Sequence, residues 1–520
     1  MDKLIVFHVD MNMGKFSRAY LEKWLSYLAG KGYNAILWEV ENHVRWDTVP
    51  ESIFPEAFTK EEFREIVDFS RNLGLEPIPL FQTIGHAEYV LKHEPYVHLR
   101  ELPDKIDQYC PLHPEVVPML RKWIGEYLDV FSDIRFFHLG ADEAWFLGKC
   151  PKCSAFSEEH SRSRLYVDHI NKVAEPVFGA GIRPAIWCDM ILHYPEAMDE
   201  LSDQFLIFDW EYNLNNSSDR VRIWGAGERF PEKLTERESE LFGKFILPQG
   251  QGGKIQVQYT LDFLKAKGFD VISCPSSSSF GDNVFSPLQS RHEPNTWDFA
   301  RNGLERADGV CLTSWSVHLH PWEMQKSCID MVPFLAANPD ADLETFRKTF
   351  VRDTFGEDTQ GFLQVQELLE QLAPYTFTRS LGFHKSCLTI PGDFILNTVR
   401  ELHEKGDVAA ELEKARKALD GYEKGMTVLS RIRQKADAGS EYLDVWELMG
   451  RVLVHRAQAD IFLFSPASEQ KDDQREHLLQ ELDALRAEVE ALYTTIHLPI
   501  RGREITGWMF TAFRYALEYV

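Results

Sequence analysis

An α/β chain, a (β/α)8 TIM barrel followed by an α-helical C-terminal domain, is what the sequence predicts, and three observations carry that expectation. Eight short apolar, β-rich runs recur through the first 320 residues, and stretches with helical spacing lie between them. Beyond about residue 340 the strand-like runs stop and helical periodicity takes over. The expected domains are therefore 1–335 for the barrel and 336–520 for the helical part.

The runs are LIVFHVD (4 to 10), AILWEV (35 to 40), PIPLF (77 to 81), FFHLG (136 to 140), PAIWCD (184 to 189), FLIFDW (205 to 210), VISCP (271 to 275) and GVCLTSW (309 to 315). They are continuously apolar rather than alternating, as parallel strands buried on both faces must be. SRAYLEKWLSYLAGKGYN (17 to 34) predicts a helix capped by Ser17 and stopped by Gly32, and TKEEFREIVDFSRNLG (59 to 74) predicts another. In the second, Thr59 and Glu62 have the spacing of a capping box and Gly74 that of a stop. An open doubly wound sheet is the alternative, but HVDMNMGKFS after the first run lacks its glycine-rich phosphate loop.

The polar span from about 213 to 268 exceeds an ordinary barrel connection and is expected to be a surface excursion near the barrel mouth. In the C-terminal part, EHLLQELDALRAEVEAL is too short for a confident coiled coil and is expected to pack within a bundle. GWMFTAFRYALEY (507 to 519) is expected to be a buried terminal helix.

Composition narrows the function classes. Lys and Arg number 56 against 81 Asp and Glu, a formal charge of −25, which argues against nucleic acid or an anionic membrane as the main partner. The apolar start of MDKLIVFHVD is too short for a signal-peptide core, and no run approaches the roughly 20 residues of a membrane span. The cytoplasm is the expected compartment. Eight cysteines are too sparse for a disulfide framework, and Cys188, Cys274 and Cys311 sit inside apolar runs. The CPKC motif differs: Cys150 and Cys153 leave two readings open, half of a structural zinc site or a reduced pair near a loop. Zinc would need about four ligands, and Cys110 or His160 would serve only if the fold brings them near.

In a barrel of this kind the active site lies at the C-terminal ends of the strands. The apolar runs end there in His8 and Asp10, Glu39 and Glu41, Gln82 and His86, His138, Asp142 and Glu143. Further on they end in Trp187 and Asp189, Asp209 to Tyr212, and Ser314, Trp315 and His318. Carboxylates mixed with tryptophans and a tyrosine suit a sugar, whose apolar face packs on indole while its hydroxyls take hydrogen bonds. Asp142 and Glu143 are adjacent, and like charge so close raises at least one pKa, so one acid can stay protonated while the other remains ionised. That division of labour suits glycoside hydrolysis.

HLGADE (138 to 143) resembles the His-x-Gly-x-Asp-Glu motif of glycoside hydrolase family 20, the β-N-acetylhexosaminidases. FHVDMN (7 to 12), LWEVEN (37 to 42), QTIGHAEYVLKHEPYVHLRE (82 to 101), AIWCDM (185 to 190) and DWEYN (209 to 213) are similar to strand ends of its hexosaminidase D-like branch. The resemblance covers roughly residues 4 to 320. It implies an exo-acting, retaining, substrate-assisted hydrolysis of terminal β-linked GlcNAc or GalNAc through an oxazolinium ion, with no cofactor required. On that pattern Asp142 orients the acetamido nitrogen, Glu143 is the general acid and base, and Tyr212 donates to the acetamido oxygen. Trp187, Trp210 and Trp315 wall the pocket, and His86 and His138 support the acids.

Two departures bear on specificity. FHVDMN lacks the arginine that many members place at the end of strand 1, so Asp10 is expected to take that hydroxyl contact. The Trp-x-Glu after strand 8 reads Trp315, Ser316, Val317 here. The choice between gluco and galacto substrates is left open. The resemblance also implies glycoconjugate partners and a homodimer. The rival readings are a catalytically silent sugar-binding barrel, against which the intact acid pair counts, and a metal-dependent barrel hydrolase built on His8, Asp10, His86 and His138.

Overall fold

The computed structural model of the protein describes residues 3–249, 252–356, 361–371 and 391–520. The chain forms two compact units. The first comprises Met1–Asn12, Glu22–Ser276 and Pro294–Ser314, and the second Met13–Leu21, Ser277–Glu293 and Trp315–Val520.

The first unit is built on eight parallel strands: β1 (Leu4–Asp10), β2 (Ala35–Glu39), β3 (Glu76–Leu80), β4 (Phe136–His138), β5 (Arg183–Trp187), β6 (Leu206–Trp210), β7 (Asp270–Cys274) and β8 (Gly309–Ser314). Each pairs with the next, and β8 pairs back onto β1 with Leu4 opposite Gly309, so the ring closes. All eight apolar runs of the sequence are barrel strands. Every residue of β2 and β8 is buried, because helices cover the outside and side chains fill the inside.

The surrounding helices include α1 (Arg18–Lys31), α2 (Lys60–Asn72), α3 (Val116–Val130), α4 (Pro151–Glu159) and α5 (Arg162–Gly179). α2 has the expected capping box, Thr59 and Glu62 each accepting from the other's backbone N–H, and it buries Phe63, Ile66, Val67 and Ser70 on one face. The long span after β6 is more ordered than a loop. It holds a two-stranded hairpin, Val221–Ile223 with Gly227–Arg229, and two helices, Glu236–Ile246 and Tyr259–Ala266.

The second unit is helical. Four long helices close the chain: Val408–Lys435, Ser440–Phe464, Asp472–Ile496 and Pro499–Tyr519. The heptad-like segment buries Leu478, Leu482, Leu485 and Val489 inside this unit, as helix packing requires. The terminal helix buries Trp508, Met509, Phe510, Phe513 and Leu517, in line with its sequence pattern. No described helix is long and apolar enough to cross a membrane.

Candidate active site

β4 is only three residues long, and the chain leaves it through backbone that few side chains tolerate. Gly140 (φ 61°), Ala141 (φ 73°) and Glu143 (φ 47°) are all left-handed. Two more left-handed non-glycine residues stand just beyond other strands, Glu41 (φ 46°) after β2 and His86 (φ 52°) after β3. Such conformations cost on the order of 1–3 kcal/mol each and persist where the surroundings over-determine them. Four of the six non-glycine residues with positive φ among the described residues therefore border one end of the barrel.

Close backbone packing sets this geometry. A Cβ on Gly85 would meet the Asp142 carbonyl oxygen at 2.1 Å, and one on Gly140 would meet Gln82 Oε1 at 2.0 Å. The β3 loop and the β4 loop thus touch through atoms only glycine leaves room for.

Their union gathers three side chains. His86 Nε2 lies 3.2 Å from Asp142 Oδ2 and 3.1 Å from Glu143 Oε2, so one imidazole spans both acids. Asp142 is buried, and its other oxygen, Oδ1, has no hydrogen-bond partner within the protein. Glu143 is more open, with a side-chain exposure of 30%. One acid is therefore an enclosed acceptor, and the other can reach solvent or substrate.

Asp189, just past β5, completes the arrangement. Its Oδ2 accepts from the Glu143 backbone N–H at 2.9 Å and its Oδ1 from Trp210 Nε1 at 3.4 Å. Burial and the charge of Asp142 push its carboxyl well above the usual carboxylate range. Asp189 was legible as a strand-end acid, but its use as a strut for the Glu143 backbone was not.

The remaining expected residues divide. Trp210 and Tyr212 stack at 4.9 Å, and Trp224 closes on Trp210 at 4.3 Å with a 60° tilt, so three aromatic rings form a cluster beyond β6. Trp224 comes from the turn of the hairpin and was missed, because nothing in a polar excursion says which residue folds back. Arg222 of the same hairpin donates from Nε to Glu211 Oε2 at 2.5 Å. Asp10 accepts from the Asn12 backbone N–H through Oδ1 at 2.8 Å.

His138 does not contact the acids. Its Nδ1 accepts from the Gly140 N–H at 3.0 Å, and its ring lies 4.6 Å from that of Trp187 and 4.7 Å from that of Phe208. Burial holds its pKa well below the ordinary histidine value, so it is a neutral ring of the barrel interior. Trp187 is fully buried beside it. Trp315 follows β8 and belongs to the second unit, where its backbone N–H donates to the Ser278 carbonyl at 3.1 Å.

The histidines and acid of the metal-hydrolase reading have other occupations. His8 Nε2 pairs with Glu39 Oε2 at 3.0 Å, and Gln82 donates to Glu39 Oε1 at 2.8 Å. Among the described residues, the group of side chains close enough to share an ion is Glu101, Cys110, Cys150 and Cys153. Cys110 thus joins the CPKC pair, Glu101 was not foreseen, and His160 instead packs on Phe156.

Residues 20–225, which carry β2 to β6 and the acid pair, match the model of the glycosyl hydrolase family 20 catalytic domain. The chain also aligns with curated proteins. It is 30% identical over 200 residues to hexosaminidase D of Bos taurus, covering 38% of this chain and 57% of that protein. It is 28% identical over 194 residues to hexosaminidase D of Homo sapiens, covering 36% of this chain and 40% of that protein. The chain thus spans about half the length of these relatives. Among solved structures, the chitobiase of Flavobacterium johnsoniae superposes with a TM-score of 0.48 at 15% identity, covering 98% of this chain and 78% of that one.

Proposed function

We propose that the protein is an exo-acting, retaining β-N-acetylhexosaminidase that cleaves terminal β-linked GlcNAc or GalNAc with the substrate's own acetamido group as nucleophile. The observation that carries this reading is Asp142 Oδ1, a buried carboxylate oxygen without a partner beside the more open Glu143. A buried acceptor left bare costs about 1–3 kcal/mol. An amide N–H is the donor that would satisfy it, and the 2-acetamido group brings one.

In the first step Glu143 gives its proton to the glycosidic oxygen while the acetamido oxygen attacks C1, breaking the C1–O bond and forming an oxazolinium ion. Asp142 accepts the acetamido N–H, sets the oxygen on line and offsets the positive charge that grows on the ring. In the second step Glu143, now ionised, takes a proton from water as the water attacks C1. The ring opens, the acetamido group is restored, and two inversions give net retention. His86 holds the two carboxylates in one plane of action. The Asp189 contact to the Glu143 N–H fixes the left-handed backbone that aims the acid. Tyr212 donates to the acetamido oxygen, Trp210 and Trp224 give the sugar an aromatic face, and Asp10 takes a hydroxyl.

Paired aryl β-glycosides test the reading. Hydrolysis of the N-acetylglucosaminide or N-acetylgalactosaminide is expected, with the plain glucoside untouched. Equal turnover of the glucoside would remove the acetamido mechanism.

A further inference from the structure

Where the acid loop runs into α4, Cys150 and Cys153 meet two groups from an earlier segment, so that three thiols and a carboxylate converge. Cys110 Sγ stands 3.6 Å from both Cys150 Sγ and Cys153 Sγ, and the ligand atoms of Glu101, Cys110, Cys150 and Cys153 all lie within 4.8 Å of one another. A tetrahedral ion with Zn–S bonds of about 2.3 Å sets its sulfurs about 3.8 Å apart, which the two 3.6 Å separations approach. A disulfide would need about 2.05 Å and could join only two of the three. We infer that Glu101, Cys110, Cys150 and Cys153 form a structural zinc site that clamps the loop bearing His86 to the loop bearing Asp142 and Glu143.

The carboxylate is held ready for this. Glu101 is buried, and its Oε1 accepts from the N–H groups of Lys149 and Cys150 at 2.7 and 2.9 Å. Its Oε2 is buried with no hydrogen-bond partner. That is the oxygen left to bind an ion. Three thiolates and a carboxylate overbalance a divalent cation, and the fold supplies partial positive charge against the excess. Cys150 caps α4, its sulfur accepts from the Cys153 N–H at 3.4 Å, and Pro151 opens the helix, so the helix N-terminus faces the cluster. Thiolate-rich tetrahedral donors select zinc over magnesium or calcium, and four protein ligands leave no open position, which marks a structural site.

The route from this cluster to the acids is short. Residues 107 to 110 turn back on the β3 loop: the Ala87 N–H donates to the Asp107 carbonyl at 3.2 Å and the Tyr109 N–H to the Ile84 carbonyl at 3.0 Å. These bonds flank Gly85 and His86. Gln108 Oε1 in turn accepts from the Phe146 N–H of the acid loop at 2.8 Å. An ion on Cys110 and Cys150 therefore fixes the distance between His86 and its two carboxylates.

The test begins with protein purified without chelator or reductant excess, its metal measured by mass spectrometry. A single zinc per chain is expected, together with protection of Cys110, Cys150 and Cys153 from a thiol reagent until a chelator is added. Cobalt exchanged into the wild-type site should give the intense thiolate charge-transfer and tetrahedral bands. Glu101→Gln should retain the fold and lose zinc faster on dialysis, and Cys110→Ser should bind substoichiometric metal. Zinc removal should also lower kcat by about tenfold or more as the acids lose their spacing. Protein that stays zinc-free after reconstitution, or cobalt bound without thiolate bands, would overturn the assignment. Metal content and spectrum need no substrate, so the site stands or falls apart from the hexosaminidase reading.

Discussion

Asp142→Asn is the most pointed perturbation of the proposed chemistry. The substitution keeps the shape of a side chain that is 3% exposed, and it removes one charge beside Glu143 and His86. What it should cost follows from Oδ1. A hydrogen bond to a charged acceptor contributes about 1.5–3 kcal/mol, and loss of one preorganised partner to transition-state charge costs roughly 2.7–4 kcal/mol. A drop of about 3 kcal/mol, or on the order of 10²-fold in kcat/KM, is therefore expected. Stability should not fall with it, since the Asp142 charge helps force the buried Asp189 carboxyl upward. The assay is a series of aryl N-acetylglucosaminides of falling leaving-group pKa, run in parallel on Glu143→Gln. The Gln variant should recover on the best leaving groups, which need no proton, while the Asn variant should not. Comparable recovery of both, or an Asp142→Asn loss under about threefold, would refute the assigned roles.

Gly85→Ala should lower kcat by about tenfold or more with circular dichroism unchanged, because its Cβ would displace the Asp142 carbonyl now 2.1 Å from that position; an unaffected kcat would show that the loops' closeness is immaterial. Trp224→Ala should raise KM by about three- to tenfold with little change in kcat, matching about 0.5–1.5 kcal/mol for an aromatic contact; a pure kcat effect would contradict a ring-binding role. Stability should fall as pH drops from about 6.5 toward 4, because burial lowers His169 and His320 to about 4 and His318 and His497 to about 3. The unfolded chain takes up those protons first, and each histidine contributes a slope of about 1.4 kcal/mol per pH unit within its window. Asp209, raised to about 6 by burial, runs the other way between about 4 and 6 and offsets one of the four. Denaturation midpoints at pH 7.5 and 5 would read the slope, and a flat profile would contradict it; His169→Gln, which can still donate to the Thr83 carbonyl, should shallow it.

The barrel was legible because each strand is a continuous apolar run, as parallel strands buried on both faces are, and because the first run lacks the glycine-rich loop of the doubly wound alternative. The helix caps were legible for the same local reason, as Thr59 and Glu62 carry their own geometry. The site was legible only so far as it stands at strand ends. Asp142, Glu143 and His86 do meet, since the loops after β3 and β4 open at one rim. His138 looks the same in sequence yet turns inward, because whether a strand-end side chain points into the barrel depends on twist and on the Gly140 N–H that captures its ring. Trp224 and Glu101 carried no signal, since both reach their positions through folded excursions whose path is set by tertiary packing. The cysteine pair could not name its third member, as Cys110 lies forty residues away and only the turn at 107–110 brings it back.

The hairpin that carries Trp224 hangs from two points of the chain, after β6 and before the helix Glu236–Ile246, and none of the barrel's eight strands depends on it for pairing. One wall of the aromatic cluster is thus a replaceable cassette, while the acids are wired into the barrel rim. A hairpin exchanged, shortened or re-tipped with another ring would alter the aromatic wall of the cleft without disturbing the acid pair. The chain separates the part of the cleft that can drift in evolution from the part that cannot.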